Sequence, residues 1–136
     1  MMAAPTGERR IELRIPARAE HVPPTRHDVV AFAQRRGIDD AAMVGLAVSE
    51  AISNAIVHAY RDGRVGDVEV TVHDADDHLL VTVRDYGIGL SPRVDSPGMG
   101  VGLPLIGTLA DDVQLERLDD GTAITMTFAK PVTRSG

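Results

Sequence analysis

Three polar side chains stand four residues apart inside the apolar stretch SEAISNAIVHAY: Glu50, Asn54 and His58. On a helix of about 3.6 residues per turn that spacing drifts only slowly, so all three share one face. What a carboxylate, an amide and an imidazole aligned on an otherwise apolar helix would face must be supplied by the rest of the chain. Taken alone, the line fits the solvated face of an amphipathic helix. Asn54 weighs slightly against that, because asparagine competes with the backbone of a helix interior. His58 fits a structural hydrogen bond at the helix end at least as well as a site role.

Two glycine clusters follow. In RDYGIGL, Asp85 can present an acceptor oxygen at a strand end, while Gly87 and Gly89 let a flat ligand approach the backbone. An ordinary strand ending in a glycine turn would look the same. In GMGVGL, Gly98, Gly100 and Gly102 open a helix. Backbone N–H groups there can cradle phosphate, helped by the helix N-terminus; a plain hinge is the other reading. The spacing is not the dinucleotide fingerprint, and it precedes the third helix instead of closing the first strand–helix turn.

Phosphate binding without lysine is a requirement here. The chain of 136 residues has one lysine, Lys130, against thirteen arginines. Neither the Walker A loop nor the protein-kinase strand lysine has a counterpart, so a phosphate site must use backbone N–H groups, arginines and a metal. The net charge of −6 argues against a general nucleic-acid surface. No cysteine is present, which excludes disulfides and thiolate chemistry. The N-terminus lacks the apolar core of a signal peptide and no run approaches membrane-spanning length, so a cytoplasmic protein without a membrane partner is expected.

The elements that must position these groups can be read from periodicity. RRIELRIPA alternates as a strand, and a helix is expected from about Pro24 to Arg36, stopped by Gly37. A second helix is expected from about Asp40 to Tyr60. Strands near 67–73 and 79–85 read as a hairpin. Residues 90 to 101 lack periodicity and read as a lid. LPLIGTLA is a short helix, and DDVQLERLDDGTAITMTFA a closing hairpin turned by DDG. The expectation is an α+β two-layer sandwich over residues 9–130, a mixed, mostly antiparallel sheet of about five strands covered on one face by three helices. Residues 1–8 and 131–136 are expected to be disordered tails.

The clusters in this order, followed by DGT at Gly121 and Thr122, resemble the N, G1, G2 and G3 boxes of the GHKL (Bergerat-fold) ATPase superfamily. The wording SEAISNAIVHAY, VRDYGIGL and GMGVGLPLI looks most like its anti-sigma factor serine/threonine kinases. The resemblance implies ATP and Mg2+ as cofactors. It implies Glu50 as general base, Asn54 as magnesium ligand, and Asp85 as acceptor for the adenine amine with Thr122 nearby. Gly87 and Gly89 would line the adenine pocket, and Gly98, Gly100, Val101, Gly102 and Leu103 would wrap the triphosphate. Many related kinases carry a basic residue just before the second glycine box; here Asp95, Ser96 and Pro97 stand there.

The resemblance further implies a kinase that phosphorylates a STAS-type anti-sigma antagonist and sequesters a sigma factor. The alternative is an ATP-gated binding module with little turnover. A homodimer formed through the IELRI strand and first helix is expected, with Arg26 presented to partners. Arg26 as an ordinary surface arginine is equally open.

Overall fold

A computed structural model describes residues 9–59, 66–87 and 102–131. The chain runs β1 (Arg10–Pro16), a 3₁₀ turn (Ala19–His21), α1 (Val22–Arg35), α2 (Ala41–Asn54), a π turn (Ala55–Ala59), β2 (Asp67–Asp74) and β3 (His78–Asp85). After these come α3 (Gly102–Leu109), β4 (Asp112–Leu118) and β5 (Gly121–Ala129). The five strands form one sheet in the order β1-β2-β3-β5-β4, with α2 packed against both α1 and α3.

Every strand pairing is antiparallel, which corrects the expected mixed sheet. The connectivity explains it. With two helices between β1 and β2 the chain reverses direction three times, so the two strands run antiparallel. The β3–α3–β4 unit would make a parallel pair, but β5 inserts between its two strands.

The two-residue period of the strands puts Val68, Val70 and Val72 of β2, and Leu79, Val81 and Val83 of β3, on the helix side, all buried. They meet Phe32 of α1, Val48 and Ile52 of α2, and Ile106 of α3. Each such side chain stabilises the fold by about 1.5–3 kcal/mol when fully buried. α1 ends as its sequence indicates. Gly37 adopts φ +91°, its N–H reaches the Gln34 carbonyl, and the Ile38 N–H reaches that of Ala33. That is a Schellman stop, with Ile38 buried behind it.

The second helix is shorter than expected: α-helical bonding stops at Asn54 and a π turn carries residues 55 to 59. Ala55 N–H is shared between the Ala51 and Ile52 carbonyls at that point. His58 therefore does not continue the α-helical line through Glu50 and Asn54. The stretch Ala41–His58 is long and apolar enough to pass for a membrane span by composition, yet half of it is buried within the fold, as befits a core helix. The expected lid at 90–101 and the expected tails 1–8 and 131–136, Pro131 excepted, lie outside the described residues.

Candidate functional site

Two neighbouring strands break their own apolar pattern at the same end of the sheet. The inward positions of β3 run Leu79, Val81, Val83 and then Asp85, which is 6% exposed. The inward positions of β5 run Phe128, Met126, Ile124 and then Thr122. Asp85 and Thr122 are partners in the β3–β5 register. A carboxylate and a hydroxyl thus close an otherwise apolar slot.

The opposite wall comes from the end of α2. Ala51 and Ala55 are small where the helix crosses these strands, and Asn54 stands between them in sequence. Together with Val83, Asp85, Thr122 and Ile124 they line a narrow pocket that opens to solvent, with about 270 Å³ of space counting its open mouth. The chemistry of the lining suits a planar group with an N–H donor on one edge, its faces toward alanine, valine and isoleucine and its edge toward Asp85.

Burial pushes the Asp85 carboxyl above its ordinary value, and hydrogen bonds from the Gly87 and Thr122 backbone N–H groups oppose that rise. Gly87 N–H donates to Asp85 Oδ1 at 3.2 Å. The Thr122 hydroxyl is buried and has no hydrogen-bond partner among the described residues. Leaving such a group unpaired costs about 1–3 kcal/mol, which a ligand or water in the slot would remove.

Gly121 makes the approach of the two strands possible. Its φ of +151° lies outside what side-chain-bearing residues favour, and a Cβ there would sit 1.9 Å from the Asp85 carbonyl oxygen. The DGT signal was visible in the sequence; the contact that makes its glycine obligatory was not.

Glu50 lies one turn before Asn54 on α2 and is partly buried. Gly102 opens α3, followed by Leu103. Gly89, Gly98, Gly100 and Val101 lie outside the described residues. Arg26 is exposed on α1, on a helix separate from the slot. Tyr86, between Asp85 and Gly87, is stacked under the Arg84 guanidinium at 4.1 Å, and its hydroxyl donates to Glu69 at 2.6 Å.

One cluster had no signal in the sequence. Asp74, 2% exposed, accepts from Arg36 Nε at 2.7 Å and from Lys130 Nζ at 2.8 Å. Desolvation would raise its carboxyl, but the hydrogen bonds from Lys130, Arg36 and the Asp76 N–H outweigh it and hold the group well below the usual carboxylate range. Asp74 pairs with Leu79 at the far end of β3 from Asp85. The single lysine is therefore committed to a structural clasp away from the slot.

Comparison with known proteins bears on the family and the fold. Residues 15–128 match the family model of the histidine kinase-like ATPase domain. The chain is 33% identical over 135 residues to a protein of Bacillus mycoides named serine-protein kinase RsbW, spanning 87% of this chain and 83% of that one. A Bacillus cereus protein of the same name matches equally. Among solved structures, a crystal structure of the RsbU and RsbW domains of a Mycobacterium tuberculosis protein superposes with a TM-score of 0.67 at 22% identity. That match covers 91% of this chain and 34% of the longer one, and it supports the fold.

Proposed function

The chain belongs to the histidine kinase-like ATPase family, and we propose that it is a cytoplasmic ATP-dependent protein serine/threonine kinase that also binds a sigma factor. Its substrate would be a STAS-type anti-sigma antagonist. The observation that carries this reading is the buried Asp85 facing the unpaired Thr122 hydroxyl in an apolar slot, with Asn54 on the opposite wall and Glu50 one turn away.

In this reading the slot takes adenine, whose exocyclic amine donates to Asp85. The phosphates then lie toward Asn54, Glu50 and the start of α3, where Gly102 and Leu103 lead in. Magnesium fits the residues present. No group of three acidic, histidine or cysteine side chains stands ready for a metal among the described residues. Magnesium needs none, since it takes most of its ligands from phosphate and water and would add the Asn54 amide oxygen. Bound there, it would neutralise phosphate charge as transfer proceeds.

Glu50 accepts the proton of the acceptor serine as that oxygen bonds to the γ-phosphorus and the bond to the ADP oxygen breaks. The products are phosphoserine, ADP and a protonated Glu50 that releases its proton to water. The chain would pair with itself through α1 and the exposed edge of β1, an end strand of the sheet.

The test is incubation of the purified chain with magnesium, γ-labelled ATP and a STAS-domain antagonist from the same organism. Label on a serine or threonine of the antagonist is expected. Binding of the antagonist without labelling would leave a nucleotide-gated binding module.

A further inference from the structure

The Asp85 carboxyl meets two backbone donors, and one of them depends on the residue that follows it. Thr122 N–H donates from the neighbouring strand, and Gly87 N–H donates to Asp85 Oδ1 at 3.2 Å from two residues further on. An aspartate that accepts the N–H two residues later closes an Asx turn. The backbone angles of the middle residue then decide whether that N–H points back at the carboxylate. The middle residue is Tyr86.

Tyr86 is tied down on the face of the sheet opposite the slot. Its hydroxyl donates to Glu69 Oε1 at 2.6 Å, and the Arg84 guanidinium lies 4.1 Å from its ring centroid. Arg14, 5.6 Å from the same centroid, donates to Glu69 at 2.7 Å and to Asp67 at 2.9 Å. Glu69 and Arg84 are register partners on the face turned away from buried Val68, Val70 and Val83. Arg84 donates in turn to Asp120 at 2.7 Å, in the turn that leads through Gly121 to Thr122. One isolated surface pair would hold little, but here the pairs share members and form a network. It joins β1 and β2 to the two strand ends that carry Asp85 and Thr122.

We propose that Tyr86 is a positioning residue for purine discrimination. Clamped behind the sheet, it fixes the turn that holds the Asp85 carboxylate toward the slot. The inference rests on the adenine reading of that slot. A carboxylate has about four lone-pair sites, and two backbone donors leave the others to the ligand. Held in place, they accept an amine and repel a carbonyl. A carboxylate free to turn aside no longer meets either edge squarely, so selectivity is lost with the supporting contacts.

Calorimetric titration with magnesium-ADP and magnesium-GDP reads the ratio of the two affinities in the wild-type chain, Tyr86→Ala, Tyr86→Phe and Glu12→Ala. Tyr86→Ala should lower the preference for ADP about fivefold or more. Tyr86→Phe keeps the ring beside Arg84 and loses only the bond to Glu69, so it should lower the preference less; it also keeps the test decisive if the alanine variant does not fold. Glu12→Ala breaks an exposed ion pair with Arg10 elsewhere on β1 and should keep the wild-type ratio. General loosening of the fold would weaken both nucleotides together and leave their ratio in place. A wild-type chain that binds neither nucleotide, or both alike, contradicts the adenine reading, and this role falls with it. A wild-type preference that persists unchanged in the folded Tyr86 variants, or drops equally in Glu12→Ala, overturns the positioning role alone.

Discussion

Asp85 and Thr122 face each other across the β3–β5 ladder; the Thr122 N–H supports the Asp85 carboxylate while the Thr122 hydroxyl is left without a partner among the described residues. Burial raises the carboxyl and two backbone N–H groups pull it back, so the group stands as a desolvated acceptor at the mouth of an apolar slot. A ligand edge with an N–H donor relieves both the desolvated carboxylate and the unpaired hydroxyl. Stability is given up in the empty site and regained on binding.

Replacement of Glu50 by alanine should leave ADP affinity unchanged and reduce phosphoryl transfer by roughly 10²–10⁴-fold. The split arises because a base acts on the incoming hydroxyl and not on the bound nucleotide. Single-turnover transfer and calorimetric ADP titration on the same preparation measure the two halves. Transfer at the wild-type rate would return Glu50 to the solvated face of an ordinary helix.

Arg26→Ala should weaken binding of sigma factor and antagonist by more than about 2 kcal/mol if its fork meets a buried carboxylate. ATP affinity should stay the same, since the slot is built from α2, β3 and β5. Surface plasmon resonance against both partners checks it, and undiminished affinity for both removes Arg26 from the interface.

Gly121→Ala forces a Cβ against the Asp85 carbonyl at a backbone conformation alanine disfavours. The expected loss exceeds about 1 kcal/mol, lowering Tm by roughly 4 °C or more. Nucleotide affinity should fall with it, because relief of the clash moves β3 away from β5 at Asp85. A thermal melt matching wild type would mean that the strands part there without cost.

Acid should weaken the fold through Asp74. Its folded carboxyl lies below the ordinary 3.8, so the unfolded chain binds the proton more readily. The stabilisation is thus fully present above that ordinary value and is lost as pH falls below it toward the depressed folded value. Asp74→Asn should abolish this part of the acid dependence, and Lys130→Ala should cost about 1.5–3 kcal/mol at neutral pH by removing one charged partner. Urea midpoints between neutral pH and pH 3 read both, and parallel pH profiles for wild type and Asp74→Asn would count against the clasp.

The legible parts of the molecule are those encoded within a few residues. Alternation placed β2 and β3 within about one residue of their ends, Gly37 marked the stop of α1, and the Asp85 and Thr122 signals each sit in a tripeptide beside a strand. What escaped depends on partners distant in the chain or on backbone bonding that no side chain announces. Ile56 and Val57 continue the apolar run of α2, so nothing in residue type marks the change to a π turn after Asn54. Asp74 reads as one of several loop aspartates until folding brings Arg36 and Lys130 to it. The wholly antiparallel sheet depends on β5 entering between β3 and β4, a choice of strand order that local patterns do not carry.

The central claim is that the slot between α2 and the β3–β5 ladder is an adenine site read by Asp85, and calorimetric titration with magnesium-ADP and magnesium-GDP tests it most directly. Adenine presents an amine donor where guanine presents a carbonyl acceptor, and a buried carboxylate attracts the first and repels the second. The wild-type chain should bind ADP and bind GDP at least about tenfold more weakly, and Asp85→Asn should lose about 1–3 kcal/mol of ADP affinity. GDP binding as tight as ADP, or undiminished ADP affinity in folded Asp85→Asn, would contradict the assignment.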